Sequence, residues 1–253
     1  MNTRSIAHIR QFIADLDVPA PAPSRPTLYR PGARAFQDDS QGAAADAGSL
    51  VSFVGGISGL HKSDVLNSTL LAQLAATKKF DRFKQTREWY DYYTYVLANV
   101  GWTMPSFVYE QFEPSGSTLV MSDAILEILA AIATADEMVI LAATLSALRD
   151  NADNEGALTI FSEESFPENI GTFQVFPVAE DRGDVVMALA AMQFTANRHE
   201  HRFLWFKWST YDVKLFRSAQ KGVLNEDVYS QVRAEVIEKL GDNARNFIRD
   251  IEI

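Results

Sequence analysis

The chain has 253 residues, enough for one large domain or two small ones, and 47% hydrophobic and 22% charged residues give it the makings of a sizeable core. With no cysteine it has no disulfide, thiolate metal site or cysteine nucleophile. A net charge of −10 repels phosphate backbones, which excludes general nucleic-acid binding.

Ile6, Ile9, Ile13 and Leu16 are spaced by three or four, so they share one face of a helix, with Phe12 beside them. Charged residues interrupt this stretch, so it is not the apolar core of a cleavable secretory signal. The expectation is a soluble protein, cytoplasmic or exported by a signal-independent route. The apolar stripe has two uses: it folds back onto its own domain, or it docks in a partner's groove. Residues 17–48 place Pro19, Pro21, Pro23, Pro26 and Pro31 among small and polar side chains, which reads as linker. The expected organisation is an N-terminal arm over 1–48 and a single domain over 49–253.

Residues 49–54 read as a strand, followed by the glycine-rich run 55–63 and a helix from Asp64. A strand, a glycine loop and a helix form a phosphate cradle in principle, and the run ends in Lys62-Ser63 as a Walker A loop does. The position before that lysine is His61 where the motif requires glycine, so the run reads as a turn, with Ser63 or Asp64 capping the helix. Helices are expected over 64–76 and 79–100. The second carries Trp89, Tyr90, Tyr92, Tyr93 and Tyr95 as packing surface, and the basic segment 78–87 is a solvated face.

A short strand over 106–112 and a turn over 113–117 lead to the longest helical pattern, residues 119–149, with Ile125, Leu129, Ile132, Val139, Leu145 and Leu148 as its stripe. Asp136 and Glu137 split it, so no charge-free run reaches the ~18 residues of a membrane span. It reads as a buried helix against a sheet, or as one that leaves the fold and inserts into a bilayer. Residues 157–161 are a strand candidate.

The stretch 171–217 organises the rest. Tyr211, Val213 and Leu215 alternate with Asp212 and Lys214, the period of a half-buried strand. Residues 184–196 are apolar on both parities, as in a strand covered on both sides, although Ala188, Ala190 and Ala191 also suit a buried helix. Residues 179–183 and 197–200 look like the turns of an antiparallel meander. Asn225 then caps a helix whose Val228, Val232, Val236 and Leu240 recur every four residues, and a last helix holds Phe247, Ile248 and Ile251. The fold class is therefore α+β, a mostly antiparallel C-terminal sheet packed by helices, with an extended N-terminal arm.

His199 and His201 are two residues apart and on a strand would face one ion, but no third ligand stands out. Glu163-Glu164 and Asp136-Glu137 are neighbours in sequence, not carboxylates converging across a cleft. No hydrolase motif occurs, so no catalytic, cofactor-binding or metal-binding residue is assigned. The sequence points to a non-enzymatic protein acting by self-assembly or binding of a protein partner, with Ile6, Ile9, Phe12, Ile13 and Leu16 as candidate interaction residues. The alternative is a membrane-active, toxin-like pore-former using the helix over 119–149.

Overall fold

The computed structural model describes residues 5–20, 39–105 and 108–253. Its helices are α1 (Ile6–Asp15), α2 (Gly59–Lys79), α3 (Thr86–Asn99), α4 (Met121–Ala130), α5 (Ala135–Asp150), α6 (Glu155–Ser165), α7 (Glu226–Tyr229), α8 (Arg233–Leu240) and α9 (Asn243–Phe247). Its strands are β1 (Gly42–Asp46), β2 (Ser49–Phe53), β3 (Trp102–Thr103), β4 (Glu110–Phe112), β5 (Thr118–Val120), β6 (Ile170–Asp181), β7 (Asp184–Ala196), β8 (Lys207–Ser209), β9 (Val213–Leu224) and β10 (Ile248–Ile251).

The fold is α+β. An eight-stranded sheet runs in the order β10-β1-β2-β6-β7-β9-β3, with β4 also paired to β9. Its pairs are antiparallel except β2 with β6. At 12, 13 and 12 residues, β6, β7 and β9 are about twice the usual strand length. The sheet is covered on both faces. On one side α1, α2, α3 and α8 bury Val51, Phe176, Val178, Met187 and Leu189. On the other α4, α5 and α6 bury Phe173, Val175, Ala190, Met192 and Phe194. This double cover explains why 184–196 is apolar on both parities, and it resolves that stretch as a strand.

Several elements differ from the sequence reading. Residues 119–149 are not one helix but β5, α4 and α5, because Thr134 starts a new helix. Its side chain accepts from the Glu137 amide, and Glu137 returns a bond to the Thr134 amide at 2.6 Å. The strand expected at 157–161 is the middle of α6; Ala157, Leu158 and Phe161 sit at helical spacing on its buried face. The helix expected over 79–100 begins only at Thr86, since α2 runs on through Lys79 and a turn intervenes. Of the strand expected at 106–112, β4 forms the last three residues, and 106–107 lie outside the described residues. Ile248 and Ile251 belong to β10, not to the last helix. Part of the stretch read as linker, residues 42–46, is β1, inserted between β2 and β10; residues 21–38 lie outside the described residues.

The β10 edge is guarded. Asn154 donates to the Glu252 carbonyl at 3.0 Å and accepts from its amide at 2.8 Å, while the Arg249 guanidinium bonds the Ile248 carbonyl at 2.7 Å. Such cover keeps another strand from adding there.

Where β1 meets α2, Asp46 is completely buried. Oδ2 accepts from the Thr69 hydroxyl at 2.7 Å, but Oδ1 has no hydrogen-bond partner among the described residues. A charged carboxylate would leave that oxygen bare in a low dielectric. Burial therefore pushes the Asp46 carboxyl up to about 8, against the pull of the Thr69 bond and the Arg82 charge. The folded chain keeps a proton that the unfolded chain releases near 3.8, so this stability is fully present below 3.8 and is lost as pH rises through about 8. Asp46→Asn, which cannot ionise, is expected to remove a slope of about 1.4 kcal/mol per pH unit across that window. Urea titrations of both proteins at several pH values check it; parallel curves would refute the buried-proton account.

Candidate functional site

The longest tight hairpin of the sheet is β6–β7, its ladder broken only at Phe176-Pro177. Asp181 faces Asp184 across a two-residue turn, Arg182-Gly183, with both residues at positive φ (55° and 90°). This is the turn whose twist matches antiparallel strands, and glycine at its second position is the usual solution. From there the register places Val178 opposite Met187, Val175 opposite Ala190, Phe173 opposite Met192 and Gly171 opposite Phe194.

The two faces of the hairpin differ. One carries Phe173, Val175, Ala188, Ala190, Met192 and Phe194, all apolar. Phe194 stacks on Phe203 at 5.4 Å and tilts on Phe166 at 4.7 Å, and a Cβ on Gly171 would collide with the Phe194 ring edge, so any larger residue there must displace the ring. The other face turns polar away from the turn. Thr172, Gln174 and Gln193 share it with Ser218 and Gln220 of β9. Gln193 donates to the Thr86 hydroxyl at 2.9 Å. Gln174 and Gln220 are buried with neither amide atom hydrogen bonded among the described residues, and the Thr172 hydroxyl is in the same state. Bare amides in a core cost stability, by about 1–3 kcal/mol each.

The turn end is held by an ionic cluster. Arg233 of α8 grips Asp64 of α2 with two bonds of 2.7 Å and Glu226 of α7 with a third of 2.7 Å. His61 of α2 stands between Glu180 of β6, at 3.9 Å, and Glu226, at 3.8 Å. Burial pushes the Asp64 carboxyl up and Arg233 pulls it back, while the same bonds hold the guanidinium charged beyond its usual range. The bidentate fork is the geometry of an ionised pair, so Asp64 is read here as a carboxylate.

His61, Asp64 and Glu226 also bring ligand atoms within 4.8 Å of one another. The guanidinium already occupies the place a cation would take, since it bonds both carboxylates. The cluster is thus a salt-bridge clamp joining α2, α7, α8 and the hairpin.

The residues singled out from sequence fall elsewhere. Ile9, Ile13 and Leu16 of the N-terminal stretch are buried, and Ile6 and Phe12 are partly so, all against their own domain. Arg10 pairs with Glu235 at 2.7 Å, Lys239 bonds the Ala14 carbonyl at 2.7 Å, and Phe12 packs edge-on to Tyr95 at 5.6 Å. The glycine run makes no cradle: Ser58 caps α2, and Lys62 is buried with Nζ on the Ser40 carbonyl at 2.6 Å. His199 and His201 lie in a turn, not a strand; His199 packs near Phe166 and His201 approaches Glu155 at 3.6 Å. Asp64, Glu226 and Arg233 were invisible as a unit in the sequence because 169 positions separate the first from the last.

No family model matches the chain, and no curated protein does. Among solved structures it is similar to the activated Cyt2Ba monomer from Bacillus thuringiensis subsp. israelensis (11% identity, 71% of this chain and 97% of that one, TM-score 0.41). It is similar also to a delta-endotoxin (10% identity, 81% and 90%, TM-score 0.43) and to the Evf virulence factor (12% identity, 95% and 88%, TM-score 0.33). Likeness at this level carries no functional weight. Among the described residues no helix is long and apolar enough to cross a membrane.

Asp64 is 1% exposed, so Arg233→Ala strands a buried charge. The expected loss is about 3 kcal/mol in a denaturant titration, with Asp64→Asn/Arg233→Ala recovering most of it. Equal losses in the single and double variants would show that packing, not charge, holds the clamp.

Proposed function

We propose that the chain is a non-enzymatic, membrane-active protein whose β6–β7 hairpin enters a bilayer when the helical layers lift away, several copies assembling in the process. The observation that carries this is the pairing of length with an apolar face. Strands of 12 and 13 residues exceed the ~9–11 that cross a hydrocarbon core when tilted. The face formed by Phe173, Val175, Ala188, Ala190, Met192 and Phe194 meets lipid without a charge. On the other face the part away from the turn, with its bare Gln174 and Thr172, gains by turning to water.

Assembly follows from the backbone. A hairpin alone in lipid leaves its outer edges unpaired, at a cost of several kcal/mol per group, so the inserted strands of neighbouring copies must pair edge to edge and close. β9 is less suited to the hydrocarbon layer, because Arg217 and Lys221 lie on the apolar face opposite Met192 and Ala188. In this reading α1 is a clasp on α8 and α3, and its release frees a helical layer. Residues 119–149 take part as cover, since α4 and α5 leave the sheet instead of spanning the bilayer.

The test staples one layer down. Ser52 of β2 and Thr144 of α5 share a buried hydrogen bond of 2.9 Å, and the chain has no other cysteine to confuse a cross-link. The wild type is expected to release dye from liposomes. The oxidised Ser52→Cys/Thr144→Cys variant is expected to be silent until a reductant is added. Equal release by the oxidised and reduced forms, or no release by the wild type at acidic and neutral pH, would falsify the proposal.

A further inference from the structure

The connection between β7 and β9 is a cationic, aromatic surface on this acidic chain. Residues 198–214 hold Arg198, Arg202, Lys207 and Lys214 against Glu200 and Asp212, in a protein of net charge −10. Some of this charge is engaged: Arg198 reaches Glu200 at 3.2 Å and Arg202 reaches Glu155 at 3.6 Å. The arginines are also laid over rings, Arg198 at 4.2 Å from Phe206 and Arg202 at 5.5 Å from Trp205. Lys207 and Lys214 are exposed and form no ion pair among the described residues.

Between these two lysines stands Tyr211, 95% exposed, the most exposed large hydrophobic side chain among the described residues. Its position is built. The Tyr211 amide donates to the Ser209 hydroxyl at 3.3 Å, the Asp212 amide to the Ser209 carbonyl at 2.9 Å, and the Thr210 amide to the Ser117 carbonyl at 3.1 Å. A ring held out on a hydrogen-bonded turn loses little freedom on binding. At ~3.3 Å per residue, Lys207 and Lys214 lie within about 13 Å of it along the chain.

An aromatic ring with a polar tip, flanked by cations, suits the headgroup layer of a membrane. We infer that this connection is the docking surface for an anionic phospholipid bilayer, with Tyr211 seated among the headgroups and Lys207 and Lys214 on the phosphates. Charge complementarity decides the occupant. A chain of net charge −10 is repelled by an anionic surface except where cations gather, and of its two basic patches this one presents an exposed ring. The basic corner at residues 78–87 carries more cations, but Lys84 is paired with Asp81 at 3.5 Å, the Lys79 ammonium is spent on the Tyr92 ring at 4.1 Å, and Phe80 and Phe83 are partly buried, so it presents no fully exposed ring. The inference rests on the membrane reading above and adds to it the lipid class and the contact residues.

Co-sedimentation with phosphatidylcholine vesicles, with and without phosphatidylserine, tests it alongside dye release from the same vesicles. The wild type is expected to bind the phosphatidylserine vesicles more tightly by about tenfold or more, as two lysines imply. Tyr211→Ser/Lys207→Gln/Lys214→Gln is expected to lose that gain while keeping the wild-type melting temperature. Lys78→Gln/Arg87→Gln, on the other basic corner, is expected to bind like the wild type. Unchanged binding by the triple variant, a loss confined to the Lys78/Arg87 variant, or equal wild-type binding to both vesicles overturns the inference. Lysine-dependent binding without dye release leaves the docking surface standing and removes the insertion reading; no vesicle binding removes both.

Discussion

Everything in this molecule depends on one sheet being apolar on both sides. An ordinary antiparallel sheet keeps one face for water, and its strands alternate accordingly. Here β7 places Met187, Leu189 and Ala191 on one face and Ala188, Ala190 and Met192 on the other, so in the folded chain both are covered. The helices therefore come in two sets, with α2 and α3 on one side and α4, α5 and α6 on the other. Each set owns its own core, and the two cores meet only through the sheet.

That division also locates the weak joints. The helical layers are fastened to the sheet by apolar contact plus a few polar ties: Arg233 with Asp64 and Glu226 at the hairpin turn, Arg10 with Glu235 along α1, Ser52 with Thr144 under α5. Around the turn the ties are ionic, and screening or titration weakens ionic ties more readily than apolar contact. The bare amides of Gln174 and Gln220 point the same way. Each adds a desolvation cost to the packed state that the apolar contacts around it must offset.

How much of this the sequence reveals depends on the distance over which each signal acts. The first half of β9 is legible because alternation is local, and β6 and β7 because apolar runs flank a turn at Asp181-Arg182-Gly183-Asp184. The N-cap at Asn225 is legible for the same reason. The break at 131–134 is masked although Thr134 and Glu137 spell a capping box, because the apolar stripe runs across it without a phase change. β1 was hidden: Gly42-Ala43-Ala44-Ala45-Asp46 has weak strand character, and only its burial between β2 and β10 makes it a strand. The second half of β9 was lost because Ser218, Gln220, Lys221 and Gly222 carry almost no hydrophobic signal. The amphipathic period of α1 was plain, but which surface would cover it depends on Glu235 and Lys239, more than two hundred residues away.

The pairing of β1 with β10 sets the order in which the molecule can be made. Ala43 lies beside Ile251, and β2 lies beside β6, whose first residue is Ile170. A ribosome thus delivers the β1–β2 pair long before its outer neighbours β10 and β6, and the full sheet waits for the C-terminal strands to emerge. Contacts this remote make for slow folding and leave the early apolar segments exposed meanwhile. Loss of only the last few residues from translation would leave β1 as a raw edge, ready to pair with another chain.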